Sequence, residues 1–349
     1  MRRERQKTIL LVIAIIAVVA LIAYLQEPLS RGNVERINTT VQKSGTLAPE
    51  LAGIAGHINT DNITLSSLVG KKVVLVDIWT YSCINCQRTL PYITAWHERY
   101  KELGLEIIGV HTPEFEFEKD ITNVQRAVNK WDIKYPVVLD NDRATWRAFQ
   151  NQYWPRKYLI DIDGYIAYDH IGEGGYAETE REIQRLLAER SERLGLAETM
   201  PVKMTEVVAP SVEFEKIGTP ELYLGYRFTR GNFGSPEGLD ALETTNYAPV
   251  ANKLPNNIYL EGTWYVDADN VRLVSPTGKV HLQFSAKSAN IVAGGTGNIT
   301  VIVDGKQIRN IAVNNQDLYE LVNADDYRTQ NLTFEVDGAG FELYTFTFG

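Results

Sequence analysis

The chain has 349 residues, 35 basic and 44 acidic side chains and 44% hydrophobic residues, which is enough for two or three folded domains. A formal net charge of −9, with no basic run beyond the first eight residues, argues against a nucleic-acid-binding protein. Two cysteines are too few for a disulfide-rich scaffold or for a metal site with four cysteine ligands.

The N-terminus has the pattern of a membrane anchor. Residues 1–8 contain four basic side chains and one acid, and predict a cytoplasmic tail. Residues 9–25 contain no charge and would span about 26 Å as a helix, close to the ~30 Å hydrocarbon core of a membrane. We expect a single-pass signal anchor in the cytoplasmic membrane, with the spacer 26–46 and the rest of the chain outside the cytoplasm. A secretory signal cleaved near Ala20 or Ala23 is the alternative.

Residues 47–195 alternate between strand and helix patterns. Short apolar runs predict strands at 73–78, 105–110, 136–139, 157–162 and 165–170. Helical patterns lie between or after them, at about 84–103, 121–132, 143–152 and 179–194. The turn Asp163-Gly164 joins the last two strands as a hairpin. This order predicts an α/β domain built on a mixed central sheet whose centre is mostly parallel.

The C-terminal part has a different pattern. Residues 196–219 show no clear period and are interpreted as a linker. Residues 220–349 contain short alternating runs separated by turns such as Pro276-Thr277-Gly278, Asp304-Gly305 and Asp337-Gly338. These features predict an all-β sandwich domain.

The two cysteines form the motif Cys83-Ile84-Asn85-Cys86, which follows a predicted strand and begins a predicted helix. The free N–H groups and partial positive charge of a helix N-terminus stabilise a thiolate at Cys83. Cys86 lies one turn further along the same face and can close a disulfide with Cys83. We therefore predict that Cys83 attacks a substrate disulfide and that Cys86 resolves the mixed disulfide.

Two other interpretations of the cysteines stay open. One is an inert structural disulfide. The other is a metal site completed by histidines, although the candidate histidines show no spacing typical of a zinc finger. These are His57, His97, His111 and His170.

Residues 74–79, the two cysteines and Pro91 resemble the active-site segment of thioredoxins. The resemblance implies a thioredoxin-like fold in which Asp77 relays a proton to or from Cys86. The sequence agrees, because an aspartate within an apolar strand is expected to have a raised pKa, which suits acid–base work. The resemblance also implies that Trp154-Pro155 is a cis-proline loop facing the cysteines. We expect substrate contacts at five residues: Trp79, Ile84, Asn85, Trp154 and Pro155.

More specifically, residues 47–349 resemble extracytoplasmic TlpA-like proteins and the periplasmic part of DipZ-type proteins. Residues 79–88, 109–115, 153–155 and 222–226 carry this resemblance. It implies a C-terminal β-domain similar to carbohydrate-binding modules. DipZ-type proteins also have a multi-helix membrane domain, whereas this sequence has one hydrophobic segment. We therefore expect a separate membrane protein to donate or accept electrons.

Other acidic and basic side chains lie near the predicted site. His111 and Glu114 follow the strand 105–110, at the same predicted sheet edge as Cys83, and could tune its thiolate or touch substrate. Glu116 and Glu118 are expected to be solvated. No residue set predicts a metal site or a cofactor beyond the redox-active Cys83–Cys86 pair.

The β-domain offers aromatic side chains that could stack on a glycan, although aromatics in alternating strands are more often core residues. They are Tyr223, Tyr226, Phe228, Phe233, Tyr259, Trp264 and Tyr265. A docking or spacing module is the default interpretation of this domain.

The sequence thus predicts a membrane-anchored thiol–disulfide oxidoreductase that acts on extracytoplasmic protein thiols or disulfides, as a reductant or in cytochrome c maturation-type thiol chemistry. One alternative is a peroxiredoxin-like thiol peroxidase. Thr80 and Cys83 fit half of that motif, but Val76 occupies its proline position. The other alternative is a glycan- or partner-binding module with a non-catalytic disulfide.

Overall fold

The computed structural model of the protein describes residues 45–349, except 202 and 210. The predicted cytoplasmic tail, the predicted anchor 9–25 and nearly all of the predicted spacer lie outside the described residues. Among the residues that are described, no helix is both long and apolar enough to span a membrane.

The first half of the described chain forms a seven-stranded sheet. Its strands are β1 (Thr46–Leu47), β2 (Gly56–Ile58), β3 (Val73–Trp79), β4 (Leu105–His111), β5 (Val137–Leu139), β6 (Arg156–Ile160) and β7 (Tyr165–Ile171). The spatial order is β1-β7-β6-β3-β4-β5-β2, with β3, β4 and β5 parallel and the other pairs antiparallel. All seven residues of β3 are buried, as expected for a central strand covered on both faces.

Helices cover both faces of this sheet. They are α1 (Leu65–Leu68), α2 (Ile84–Tyr100), α3 (Ile121–Lys130), α4 (Ala144–Ala148) and α5 (Tyr176–Leu194). Ile93 and Trp96 of α2 share one apolar core with Ile183 and Leu187 of α5. The predicted α/β fold, with a mixed central sheet that is parallel at its centre, is confirmed by this element order and pairing. Helix α4 is shorter than its pattern indicated, and the two- and three-residue edge strands β1 and β2 are too short to produce a periodic signal.

The second half of the described chain is all β, as predicted. Its strands are β8 (Leu222–Tyr223), β9 (Thr244–Tyr247), β10 (Tyr259–Val266), β11 (Val271–Leu273), β12 (Thr277–Gly294), β13 (Gly297–Val303), β14 (Lys306–Val313), β15 (Asp317–Asp337) and β16 (Glu342–Phe348). The long strand β12 pairs with β10 near its start and with β16 near its end. Because β11 joins β10 to β16, these strands close a circuit around the core. The arrangement is one continuous folded sheet, whereas a sandwich has two separate sheets.

An apolar cluster joins the two halves. Phe115, from the loop after β4, is 1% exposed and packs with Tyr223, Val292 and Tyr344 of the β-domain. The Phe115 and Tyr344 rings have centroids 5.2 Å apart. The β-domain is therefore packed against the loop that follows β4. A domain that served only as a spacer would not need this contact.

The seven aromatic residues considered for glycan stacking are all at least partly buried. Trp264 lies in the β-domain core, and Tyr226 and Phe233 pack against that core. Tyr223 and Phe228 belong to the cluster with Phe115. Packing therefore covers the three buried rings, as the core interpretation expects, whereas the other four rings are only partly covered.

Candidate active site

The local fold at the end of β3 presents Cys83 at the start of α2. Cys83 is the N-cap residue, with extended backbone, and its Sγ accepts a hydrogen bond from the Cys86 N–H at 3.3 Å. This bond satisfies one of the free N–H groups of the helix and places the sulfur at its positive end. Cys83 is partly exposed, Cys86 is 1% exposed, and both are free thiols. The geometry gives one accessible nucleophile and one sheltered thiol.

A buried acid and a buried base lie near Cys86. Asp77 of β3 and Lys157 of β6 are register partners across the sheet, 1% and 0% exposed. Burial raises the pKa of Asp77 to about 6, while the charge of Lys157 opposes this rise. Burial also raises the pKa of the Cys86 thiol. The neighbouring Cys83 and the charge of Asp77 act in the same direction. Asp77 is therefore largely ionised at neutral pH and able to accept a proton from a thiol that holds its own tightly.

Sequence reasoning missed Lys157. Its Nζ donates to the Gly172 carbonyl at 3.0 Å, and burial lowers its pKa to about 8 against the opposing charges of Asp77 and Cys86. The one sequence feature that could have indicated this buried lysine is its position in the apolar run 157–162. Its pairing with Asp77 depends on strand register, which the sequence does not give.

The predicted cis-proline loop lies beside the cysteines. The Trp154–Pro155 peptide bond is cis. Trp154 Nε1 donates to the Thr112 carbonyl at 2.9 Å, and the Trp154 ring packs on Trp146 with centroids 4.2 Å apart. These contacts fix the loop against the segment that follows β4. The contact of Trp154 and Pro155 with substrate stays a prediction.

Two predicted site residues lie beneath the surface. Trp79 is 0% exposed, so its expected contact with substrate is wrong, because its ring packs in the core edge-on to His111. His111 Nε2 accepts from the Tyr81 N–H at 3.3 Å and lies 3.3 Å from Thr80 Oγ1. Burial lowers the pKa of His111 to about 3, so the ring is neutral at physiological pH. His111 thus supports the loop that precedes Cys83.

The expectation of solvation is wrong for Glu118 and holds for Glu116, which is exposed. Glu118 is 0% exposed and accepts hydrogen bonds from Ser82 Oγ at 2.6 Å, the Glu114 N–H at 2.6 Å and the Phe115 N–H at 3.0 Å. Burial raises the pKa of Glu118, while these donors lower it. One carboxylate therefore ties the residue before Cys83 to the loop after β4.

A cleft of about 270 Å³ separates Cys83 from the β-domain. The thioredoxin-like side contributes Ser82, Cys83, Ile84, Asn85, Glu114, Gln152, Tyr153 and Trp154. The β-domain side contributes Glu221, Tyr223, Arg230, Val292, Thr345 and Thr347. Sequence reasoning missed the second set, because nothing in those segments indicates which side chains turn toward the cysteines. Within the described ranges, no group of three or more His, Cys, Asp or Glu side chains could hold a metal ion.

A Cys-x-x-Cys motif at a helix N-terminus, a buried acid beneath it and a cis-proline beside it define a thiol–disulfide exchange site on a thioredoxin-like fold. Comparisons with known proteins agree. Residues 45–169 match the AhpC/TSA family, and residues 219–349 match the family described as "Thioredoxin like C-terminal domain". "Thiol-disulfide oxidoreductase YkuV" of Bacillus subtilis (strain 168) is 30% identical over 141 residues, which cover 40% of this chain and 94% of that protein. The chain therefore belongs to the thioredoxin-like thiol–disulfide oxidoreductases.

Similarity to a second relative extends into the β-domain. "Protein DipZ" of Mycobacterium tuberculosis (strain CDC 1551 / Oshkosh) is 36% identical over 313 residues, which cover 88% of this chain and 44% of that protein. The chain thus spans less than half the length of the DipZ relatives it matches. A solution structure of a thioredoxin-like protein in the oxidized form is 30% identical, covers 42% of this chain and 97% of that one, and aligns with a TM-score of 0.39.

Proposed function

We propose that this protein reduces disulfides of protein substrates outside the cytoplasm, using the Cys83–Cys86 dithiol. One observation carries the proposal. The partly exposed Cys83 Sγ caps α2 and accepts the Cys86 N–H, whereas Cys86 is buried near Asp77. A capped, accessible sulfur suits the attacking role, and a buried thiol with a nearby carboxylate suits the resolving role.

The reaction proceeds in two balanced steps. The Cys83 thiolate attacks one sulfur of the substrate disulfide, forming a mixed disulfide and releasing the other sulfur as a thiolate. Asp77 then takes the Cys86 proton, and the Cys86 thiolate attacks Cys83 Sγ. The second substrate sulfur leaves, so two electrons pass from the dithiol to the substrate while a Cys83–Cys86 disulfide forms.

The proposed setting follows from the N-terminal sequence. Residues 9–25 would anchor the chain in the cytoplasmic membrane, with the catalytic domain outside. A separate membrane protein would return electrons to the Cys83–Cys86 disulfide. Substrates would be exported proteins, including those of cytochrome c maturation-type thiol chemistry. No glycan ligand is proposed, because every aromatic ring that suggested one is at least partly buried.

Trapping the mixed disulfide tests this function. Cys86→Ser should accumulate a covalent adduct with a disulfide-containing protein, detected by non-reducing electrophoresis and released by dithiothreitol. Cys83→Ser should form no adduct and should lose reductase turnover by on the order of 10³-fold or more. Turnover retained by Cys83→Ser would contradict the proposal. Peroxide consumption retained by Cys86→Ser would favour a thiol peroxidase instead.

A further inference from the structure

A tyrosine of the β-domain lies between two carboxylates at the cleft. Tyr223 Oη is 2.9 Å from Glu114 Oε1 and 3.0 Å from Glu221 Oε2. A phenol has one hydrogen, so it can donate to only one of these carboxylates at a time. The second carboxylate then lacks this donor, so ionisation of both carboxylates at once is disfavoured. Glu221 is exposed and Glu114 is partly buried, so the proton is held more readily on Glu114.

The surroundings of Glu114 favour its protonated form. Burial, together with the charges of Glu118 and Glu221, raises the pKa of Glu114 to about 8, although the Tyr223 hydroxyl and the charge of Arg143 oppose this rise. The Arg143 guanidinium itself donates to the Pro113 carbonyl at 2.7 Å.

Charged and titratable groups also face Glu114 across the cleft. Glu114 lines the same cleft as Cys83 and Arg230. The Arg230 guanidinium lies over the Tyr223 ring, 4.7 Å from its centroid. A carboxylic acid with a proton to give therefore lies in the cleft where a substrate sulfur would leave.

We propose that Glu114 is a catalytic acid for the substrate thiolate that Cys83 displaces, and that Tyr223 and Glu221 are positioning residues that control its protonation. The β-domain then completes the active site. The inference rests on the proposed reductase function. In the first exchange step, Cys83 Sγ bonds to one substrate sulfur and the other leaves with the electron pair. That sulfur takes the Glu114 proton, Glu114 becomes a carboxylate, and solvent water reprotonates it after the product departs.

The test is the pH dependence of the first exchange step in the reduced full-length protein, measured by stopped flow with a disulfide-linked peptide dimer. The rate should fall above about pH 8 as Glu114 ionises. Glu114→Gln should abolish this alkaline fall and slow the step about tenfold at neutral pH. This is less than the 10²–10⁴ usual for general acids, because a thiolate is already a fair leaving group.

The fall in rate above about pH 8 is the alkaline limb of the pH profile. Two β-domain variants should move this limb in opposite directions. Tyr223→Phe removes a hydrogen bond that lowers the pKa of Glu114, so the limb should shift to higher pH. Glu221→Gln removes a negative charge that raises it, so the limb should shift to lower pH. Tyr344→Phe is the matched control. Tyr344 lies in the same aromatic cluster, but its hydroxyl donates to Glu342 at 2.8 Å, so the limb should not move.

The proposal is overturned if Glu114→Gln keeps the alkaline limb. It is also overturned if Tyr223→Phe and Glu221→Gln shift the limb in the same direction or not at all. These outcomes are separable from failure of the reductase function, since that failure would appear as turnover in Cys83→Ser.

Discussion

The two sheets of this protein contribute to the active site in different ways. The thioredoxin-like sheet concentrates its chemistry in one short motif after β3, supported by Asp77 in the strand itself. The β-domain contributes scattered side chains from distant parts of its sequence, with Tyr223 on β8 and Thr345 and Thr347 on β16. Chemistry held in a contiguous motif is readable from sequence, whereas a surface assembled from separate strands becomes visible only in the packed structure.

The contact between the two regions is the first place to test this comparison. Phe115→Ala should lower the free energy of unfolding by about 3–5 kcal/mol, because its ring is buried against the β-domain. Chemical denaturation would measure the loss. Phe214→Ala, at a ring that is 50% exposed, is the control and should change little. A loss below about 1 kcal/mol for Phe115→Ala would mean that this cluster does not hold the regions together.

The buried acid of the thioredoxin-like region should show the next largest effect. The folded-state pKa of Asp77 is about 6, above its ordinary 3.8, so the unfolded chain releases this proton first. The titration of Asp77 therefore lowers the free energy of unfolding as the pH rises from about 4 to about 6. Asp77→Asn should raise the free energy of unfolding at pH 8 by roughly 3 kcal/mol, while slowing release of substrate from the mixed disulfide. Equal free energies of unfolding for Asp77→Asn and the unmodified protein at pH 8 would contradict a raised pKa of Asp77 in the folded state.

Lys157 tests whether charge on the neighbouring strand tunes this acid. Lys157→Met removes the positive charge that opposes the raised pKa of Asp77, so that pKa should rise above about 6. The Asp77 carboxyl can be titrated by infrared or NMR spectroscopy. Lys157→Arg retains the charge and should leave the pKa closer to that of the unmodified protein. Identical titrations for the Met and Arg variants would show that the charge has no such role.

The smallest effect is expected from a polar contact between the regions. Lys130 Nζ and Asp317 Oδ2 lie 2.9 Å apart, with the lysine side chain 46% exposed. Exposed ion pairs contribute about 0–1 kcal/mol, so Lys130→Ala should destabilise far less than Phe115→Ala. A larger loss for Lys130→Ala, measured by the same denaturation experiment, would reverse the view that apolar packing joins the regions.

The parts of the fold that depend on neighbouring residues could be predicted from the sequence. The apolar run that became β3 and the helix start at Cys83 were predicted because strand burial and helix capping depend on neighbouring residues. Glu118 was mistaken for a solvated acid, because its donors come from Ser82 and from backbone that only the folded loop brings together. Tyr223 was considered only for a glycan platform. Its contact with Glu114 could not be predicted, because the two residues are 109 positions apart in the sequence.

The most direct test of the account is a redox titration of the purified full-length protein, with the Cys83–Cys86 pair followed by thiol alkylation and by Trp79 fluorescence. The account predicts one reversible two-electron transition, absent from Cys83→Ser, with a potential at or below about −270 mV, as for thioredoxin. A potential near −120 mV would contradict the reductant direction. The absence of any reversible transition would contradict thiol–disulfide exchange at this site.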